Sequence, residues 1–383
     1  MARAGLNIHI TPTELRFYGR ADRVTRFLMK RGLFSNIEIA GISFPGLPSV
    51  EFEDDGRVLK RFRVSMWLRE SSRLGRALDF FFWYMQVASH YAFRRVVCVN
   101  AHTLSVLPLC WVIAILKRCT LIYEPHELET ETRMTQGLIK PLLRLCERLF
   151  IGRAARIITV NGGIAEWYRN TYRLRDVAVV RNLPRRTIAE PLPGNYYASL
   201  FGFPESDLVF LYQGIISEGR GIELLLSTFE RLPADRHIVF LGFGAWTQRI
   251  KDAASRNSNV HYHPPVSSDQ LLRYPACADV GVLLYENTSL NNYYSYSNKY
   301  CEYLTSGTPV LFSEFLWLRG EAEKYDCGWP APLSADALAQ YIATIDKTAI
   351  RAKQQGARNW ACDNNWSSEE RVLDEIYSSL FGQ

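Results

Sequence analysis

The chain has 383 residues, 48% of them hydrophobic and 22% charged, which excludes long disorder and exceeds what one hydrophobic core needs. A net charge of +6 suits phosphates, nucleic acid or an anionic membrane surface without choosing among them. Eight cysteines (Cys98, Cys110, Cys119, Cys146, Cys277, Cys301, Cys327 and Cys362) form no CxxC pair, and several lie in apolar runs, so buried, reduced thiols are expected. Residues 1–10 lack a charged head followed by an apolar stretch, so no signal peptide is expected. The longest apolar run, 106–116, contains Pro108 and is too short to span a bilayer. The expectation is a cytoplasmic protein, soluble or peripheral on the inner face of the cytoplasmic membrane.

Along the chain, short apolar runs alternate with longer amphipathic ones. Strands are expected at 96–100, 120–123, 156–160 and 177–180, with helices at 104–117 and 137–150. A stretch with Asn182, Pro184, Arg185, Arg186, Pro191 and Pro193 then reads as an interdomain linker. A second series follows, with strands at 208–212, 237–241, 260–263, 280–284 and 309–312. Helices are expected at 222–232, 245–254, 268–274, 299–305 and 367–380. This alternation implies an α/β chain of two Rossmann-like domains, each with a parallel sheet. The expected boundaries are 1–188 together with the C-terminal helix 365–383, and 189–364. Ligands of such sheets bind at the carboxyl ends of the strands.

Three features of the second half suit a phosphate-bearing ligand. The run 212–221 (YQGIISEGRG) follows a strand and precedes a helix; Gly214, Gly219 and Gly221 permit close backbone approach, and Arg220 supplies a charge. An ordinary strand-to-helix turn would also read this way. Gly242 and Gly244 form a second glycine turn after a strand, which a tight turn explains equally well. Asn298 and Lys299 stand at a helix start, where the helix dipole favours an anion, and Glu302 lies one turn on, where it can accept from a ribose diol. A solvated helix face is the other reading of Glu302.

The run 289–310 (SLNNYYSYSNKYCEYLTSGTPV) resembles the donor-binding segment of retaining, family-4-type GT-B glycosyltransferases, which include bacterial polysaccharide and lipopolysaccharide enzymes. The 214–221 loop resembles their phosphate-binding loop, and 241–244 their second glycine turn. In the first half, 123–128 (YEPHEL) resembles their aromatic-acidic-x-His-Glu motif, and 100–102 (NAH) the preceding strand end. The order and spacing agree over about 96–329 and are weakest over the first 90 residues.

The resemblance implies two domains facing across a cleft, with donor on the C-terminal and acceptor on the N-terminal domain. It implies transfer of a sugar from a nucleotide-diphosphate sugar, a UDP-sugar foremost, to an acceptor hydroxyl, with retention and without a cofactor or bound metal. Glu302 would hold the ribose; Arg220 and Lys299 would neutralise the departing diphosphate; Asn298 and Asn292 would add hydrogen bonds. His126 would meet the donor sugar at the reaction centre, and Glu127 would orient it or cap the next helix. His102 and Asn100 would lie on the acceptor side. Two positions depart from the family pattern: Tyr294 replaces a glutamate, and Ile215 replaces a cation after the first loop glycine.

Segment 60–84 combines Lys60, Arg61, Arg63, Arg69, Arg73 and Arg76 with Phe80, Phe81, Phe82, Trp83 and Tyr84, and only Glu70 opposes the charge over 60–76. It reads either as an interfacial element on anionic lipid, with a saccharide or lipid-linked acceptor, or as a helix packing its aromatics on the sheet. A GT-B-fold epimerase or hydrolase would use the same donor pocket. A catalytically degenerate partner subunit is a further alternative. Nucleic-acid binding is not expected, because the arginines form no recognised motif.

Overall fold

The computed structural model describes residues 4–16, 18–64, 73–137, 139–184, 190–267 and 270–382. The chain divides into two compact units, Met1–Arg181 with Glu369–Gln383, and Asn182–Ser368.

The first unit runs β1 (Ala4–Ile10), α1 (Gly19–Arg31), β2 (Phe34–Ile42), β3 (Val50–Phe52), β4 (Val58–Phe62), α2 (Arg73–Ala92), β5 (Val96–Ala101), α3 (Leu107–Lys117), β6 (Thr120–Tyr123), α4 (Ile139–Ile151), β7 (Arg156–Thr159), α5 (Gly162–Tyr172) and β8 (Val177–Val179). Its sheet has the order β3-β4-β2-β1-β5-β6-β7-β8, parallel except for the β3–β4 pair. The connections reverse direction between β1 and β5, and this switch point leaves a crevice at the strands' carboxyl ends. β1 is buried on both faces: Ile8 and Ile10 pack as core, while Asn7 and His9 are equally buried.

Local chemistry sets the element ends. The expected helix 104–117 begins as a tighter turn, Leu104–Val106, and becomes α-helical only at Leu107, which places Pro108 in the first turn where its missing N–H is harmless. Gly137 has φ of 74°, so the helix expected from 137 starts at Ile139. Asn161 caps α5 by accepting from the Ile164 N–H at 2.8 Å.

Arg57 is a buried charge of this unit, with a side chain shut off from solvent. It donates to both Asp55 oxygens at 2.8 Å, to Thr25 Oγ1 at 2.7 Å and to Asp22 Oδ1 at 2.9 Å. Arg57→Ala strands these partners, so we expect a loss of about 2–4 kcal/mol in a denaturant melt. A loss below about 0.5 kcal/mol would show that the cluster is replaceable by water.

The second unit contains α6 (Tyr196–Phe201), β9 (Leu208–Ile215), α7 (Ile222–Phe229), β10 (Arg236–Phe243), α8 (Thr247–Ala254), β11 (Val260–His263), β12 (Val280–Leu283), α9 (Leu290–Tyr293), α10 (Asn298–Thr305), β13 (Val310–Ser313), α11 (Arg319–Tyr325), β14 (Gly328–Ala331), α12 (Ala335–Ala343), α13 (Lys347–Asp363) and the start of α14 (Trp366–Phe381). Its sheet is wholly parallel, in the order β11-β10-β9-β12-β13-β14, and switches direction between β9 and β12. The helix expected at 268–274 is replaced by two short 3-10 turns, Leu271–Arg273 and Pro275–Cys277. Pro275 has no N–H to continue an α-helical ladder, and 268–269 lie outside the described residues.

The C-terminal segment packs within the first unit, as the sequence led us to expect. Tyr377 donates to Asn100 Oδ1 at 2.7 Å, Arg31 pairs with Asp374 at 2.7 Å, and Phe381 packs on Phe34 with ring centres 4.9 Å apart. The linker residues Arg185 and Arg186 lie outside the described residues.

All eight cysteines are free, and five are buried. Burial pushes the Cys119 thiol up to about 11 and Cys327 to about 12, which keeps them protonated and unreactive. No described helix is long and apolar enough to cross a membrane.

Segment 60–84 does not form one surface element. Lys60 lies in β4 with Nζ 2.9 Å from His90 Nε2 and 3.5 Å from Glu38. Arg61 is buried, donating to the carbonyls of Glu14 and Pro48 at 2.9 Å. Trp83 is core and donates to the Gly41 carbonyl at 3.2 Å, whereas Phe81 and Phe82 remain exposed. The expected basic residue Arg69, with Glu70, and the side chains of Arg73 and Arg76 lie outside the described residues.

Candidate functional site

A cavity of about 340 Å³ opens at the switch point of the second sheet, where β9, β10 and the loop after β12 meet the start of α10. Arg220, Lys299 and Glu302 line it, with Gln213, Tyr285, Ser297 and Asn298. Its apolar wall includes Leu241, Pro265, Val266 and Leu271.

Gly214 ends the buried part of β9 with φ of 114°, and a Cβ there would stand 2.8 Å from Lys299 Cε. The missing side chain is therefore what admits the lysine. Lys299 Nζ lies 4.1 Å from the centre of the Tyr212 ring. Burial, and next the nearby Arg220, lower its pKa to about 7, with Glu302 acting in the opposite direction. The site thus holds two cations close enough to repel, a state that an anion between them would relieve.

Tyr285 fixes the other cation. Its hydroxyl accepts from Arg220 Nη1 at 2.9 Å, its ring lies 5.1 Å from the guanidinium carbon, and it donates to Ser297 Oγ at 3.2 Å. Its backbone is pinned in turn by Ser313, whose Oγ accepts from the Tyr285 N–H at 2.8 Å and donates to its carbonyl at 2.9 Å. Ser297 is the N-cap of α10 and accepts from the Lys299 N–H. The first turn of α10 therefore opens on the cavity with its dipole favouring an anion.

Glu302 is held by the buried Gln213, whose amide nitrogen donates to Glu302 Oε2. Gln213 is itself set by Tyr303: the phenol accepts from the Gln213 N–H and donates to the Leu211 carbonyl, both at 2.9 Å. Gln213 Oε1 is buried without a hydrogen-bond partner among the described residues.

Of the donor-side residues singled out in the sequence, Gly214, Arg220, Gly242, Asn298, Lys299 and Glu302 line the cavity. Gly219, Gly221, Gly244 and Asn292 do not. Gly221 is backbone-critical all the same: with φ of 71°, a Cβ would meet the Leu284 carbonyl at 2.6 Å. Asn292 donates to the Glu286 carbonyl at 2.9 Å and shapes its own loop. Asn298 Oδ1 accepts from Asn182 at the rim. Of the two departures, Ile215 reaches the cavity, whereas Tyr294 packs against Trp317 with ring centres 5.7 Å apart. Sequence reasoning missed Tyr285. The signal was its place directly after the strand expected at 280–284, where functional side chains of such sheets sit.

The first sheet gathers histidines at its own switch point. His9 comes from β1, His102 follows β5, and His126 follows β6. His9 Nδ1 lies 2.9 Å from His102 Nε2, and His102 Nδ1 lies 3.3 Å from His126 Nε2. The proton positions follow from the amides behind them. Asn100 Nδ2 lies 3.2 Å from the Ile8 carbonyl, which can only accept, while its Oδ1 accepts from Tyr377. The same Nδ2 donates to Asn7 Oδ1 at 2.6 Å, so the Asn7 Nδ2 faces His9 Nε2 at 3.3 Å. His9 Nε2 thus meets only donors and must accept. Its proton sits on Nδ1 and is donated to His102, whose own Nδ1 proton is donated to His126 Nε2. His126 is left with an Nδ1–H donor. Burial holds His9 and His126 well below the ordinary histidine pKa and lowers His102, so the chain stays neutral.

His9, His102 and Glu124 have ligand atoms within 4.8 Å of one another, a donor set of the kind zinc takes. The ring nitrogens of His9 and His102 that face each other share one hydrogen bond here. The buried Glu124 carboxylate is answered by Arg20, 3.6 Å away. Glu127 precedes a short 3-10 turn, Glu129–Glu131, whose N-cap position is Leu128. Asn100 orients the histidine chain from within the sheet. His9 went unnoticed in the sequence because no strand was assigned to the first 90 residues.

No family model and no curated protein sequence matches the chain. Solved structures do. Sucrose-phosphate synthase from Thermosynechococcus elongatus superposes with a TM-score of 0.81 at 15% identity, covering 99% of both chains. Anabaena HepE in complex with UDP-glucose gives 0.73 at 13% identity, over 98% of this chain and 99% of that one. WaaG, a glycosyltransferase involved in lipopolysaccharide biosynthesis, gives 0.64 at 15% identity, over 98% and 99%. At these identities the likeness is one of fold, and the chain has the GT-B architecture of these glycosyltransferases along its whole length.

Proposed function

We propose that the protein transfers a sugar from a nucleoside-diphosphate sugar to an acceptor hydroxyl. The observation that carries this reading is the pairing of Arg220 and Lys299 at the mouth of α10 with a carboxylate, Glu302, one turn further along the same cavity. The cations receive the diphosphate and stabilise the charge that develops on its leaving oxygen. Glu302 accepts from the ribose diol, and the wall of Leu241, Pro265, Val266 and Leu271 offers the base an apolar surface. A UDP-sugar is the favoured donor, since HepE, of like fold, binds UDP-glucose. Two protein cations at the diphosphate make a bound metal or other cofactor unnecessary.

Retention is the stereochemistry that the resemblance implies, by attack of the acceptor on the face from which the diphosphate leaves and not through a glycosyl-enzyme. Among the described residues lining the cavity, Glu302 is the one carboxylate, and Gln213 holds it. No free carboxylate stands ready there to form a glycosyl-enzyme. His126, with its Nδ1–H, is the proposed donor to the reacting sugar, and His102 and Asn100 act behind it. The resemblance and the WaaG-like fold favour a role in cell-surface polysaccharide or glycolipid assembly on the cytoplasmic side.

The test is release of nucleoside diphosphate from UDP-, GDP- and ADP-sugars, with and without saccharide or lipid-linked alcohols, and the anomeric configuration of the product by NMR. We expect one nucleotide class to react, in an acceptor-dependent way and with retention. Glu302→Ala should weaken donor binding by about 10–100-fold through lost charge-assisted hydrogen bonds. Equal release without any alcohol would mark a hydrolase, and an unchanged Glu302→Ala affinity would remove the ribose assignment.

A further inference from the structure

The crossovers β4–α2–β5, β5–α3–β6 and β6–α4–β7 all run the same way across the first sheet, so right-handed connection places their helices on one face. They touch in series. Tyr84 of α2 donates to the Ser105 carbonyl just before α3, Lys117 of α3 donates to the Ala92 carbonyl of α2, and Trp111 of α3 meets Phe150 of α4 at 5.3 Å between ring centres.

The outer side of this layer is apolar where a solvated face should be polar. Leu142, Leu145 and Leu149 form one exposed stripe of α4 at helical spacing, and Leu116 of α3 and Phe81 and Phe82 of α2 are exposed as well. Leu116 is 74% exposed, Leu142 65% and Leu149 64%, values that scattered surface leucines rarely reach together.

The charge on these helices has one sign at the surface. Their carboxylates are Asp79 and Glu147, and both are buried. Glu147 accepts from the phenols of Tyr123, Tyr168 and Tyr172 at 2.6–2.7 Å. Arg148 on α4, with Arg118 and Arg153 directly after α3 and α4, is exposed. A second copy seated on the same stripe would bring arginines towards arginines, with no exposed carboxylate on the three helices to answer them. An anionic lipid surface answers both features, taking up the leucines at its interface and the arginines among its phosphates.

We propose that the α2–α4 flank seats this protein on anionic membrane lipid. Its leucines lie on α3 and α4, outside the segment 60–84 read from the sequence, and it would bring an enzyme with no membrane-crossing helix among its described residues to a lipid-linked acceptor. The inference bears on the acceptor of the proposed reaction, but lipid binding is read without nucleotide or transfer, so either can fail alone.

The experiment is vesicle flotation of the full chain with phosphatidylcholine alone and with about one-third phosphatidylglycerol, comparing wild type with Leu142→Glu/Leu149→Glu. The wild type should float with the anionic vesicles only, and lose most of that binding at about 0.5 M salt. The double variant should bind more than about 10-fold more weakly with an unchanged melting temperature, since both positions face solvent. Arg148→Glu/Arg153→Glu should weaken binding without touching the leucines. No flotation with either vesicle, or equal flotation of wild type and both variants, overturns the proposal. So does a wild-type dimer in sedimentation velocity that the leucine variant abolishes, which would give the stripe to a second copy.

Discussion

Lys299→Met should melt at a higher temperature than the wild type when no ligand is present, and should bind nucleoside diphosphate about 100-fold more weakly. The opposite signs come from one fact. The Lys299 ammonium is buried beside Arg220, and its pKa falls from 10.5 to about 7. Below pH 7 the lysine is charged in both folded and unfolded states, and the fold bears the full cost of burying it. Between about 7 and 10.5 the unfolded chain binds more protons than the folded one, so stability rises with pH. Methionine removes the cost, and its advantage should therefore be greatest below pH 7 and fade towards pH 10.5. At roughly 2–4 °C per kcal/mol for a unit of this size, calorimetric scans at pH 6 and 9.5 would resolve it.

A diphosphate reverses the balance by favouring the charged lysine. Binding above pH 7 should therefore take up a proton, and affinity should fall by as much as about tenfold per pH unit until the bound-state pKa is reached. Titrations in buffers of different ionisation enthalpy would measure the uptake. No proton uptake at pH 8 would mean that the anion sits away from Lys299.

The second large effect is expected at a residue proposed to act through another. His102→Phe keeps a ring in the stack with His9, where the centroids lie 5.2 Å apart, but breaks the proton order that ends on His126. Transfer should drop by about 100-fold, a size typical of losing one proton-transfer partner, while donor affinity in the second unit stays unchanged. Nitrogen-15 spectra of the wild type should show His126 protonated at Nδ1 alone, and still neutral below the ordinary histidine pKa of 6.5. The variant should show both tautomers. A wild-type His126 protonated at Nε2 would contradict the order deduced from Asn100, Asn7 and His9.

The second unit was legible because its chemistry is local. Arg220, Lys299 and Glu302 lie in two short segments whose spacing survives in the cavity. The first unit was less so, and β1 shows why. Asn7 and His9 alternate with Leu6, Ile8 and Ile10 as the residues of a solvated strand face would, yet both are fully buried, because the switch point turns their polar groups towards partners 91 or more residues away. Arg57 in its carboxylate cluster and Arg61 under carbonyls mislead in the same way, since a charge reads as surface until its partners are known. The aromatic run 80–84 divided for a geometric reason. Successive helical residues point about 100° apart, so Trp83 entered the core while Phe81 and Phe82 stayed outside. The apolar stripe of α4 was not read as a surface because helical spacing says which residues share a face, and not whether that face is covered.

The most direct measurement is calorimetric titration of UDP and UDP-glucose into wild type and Arg220→Ala. The account predicts saturable one-to-one binding of both ligands by the wild type and at least about a tenfold loss in Arg220→Ala, the value of one charge-assisted contact. Binding of equal strength by both proteins, or none by the wild type with these or any other nucleoside diphosphate, would contradict a donor site at Arg220 and Lys299.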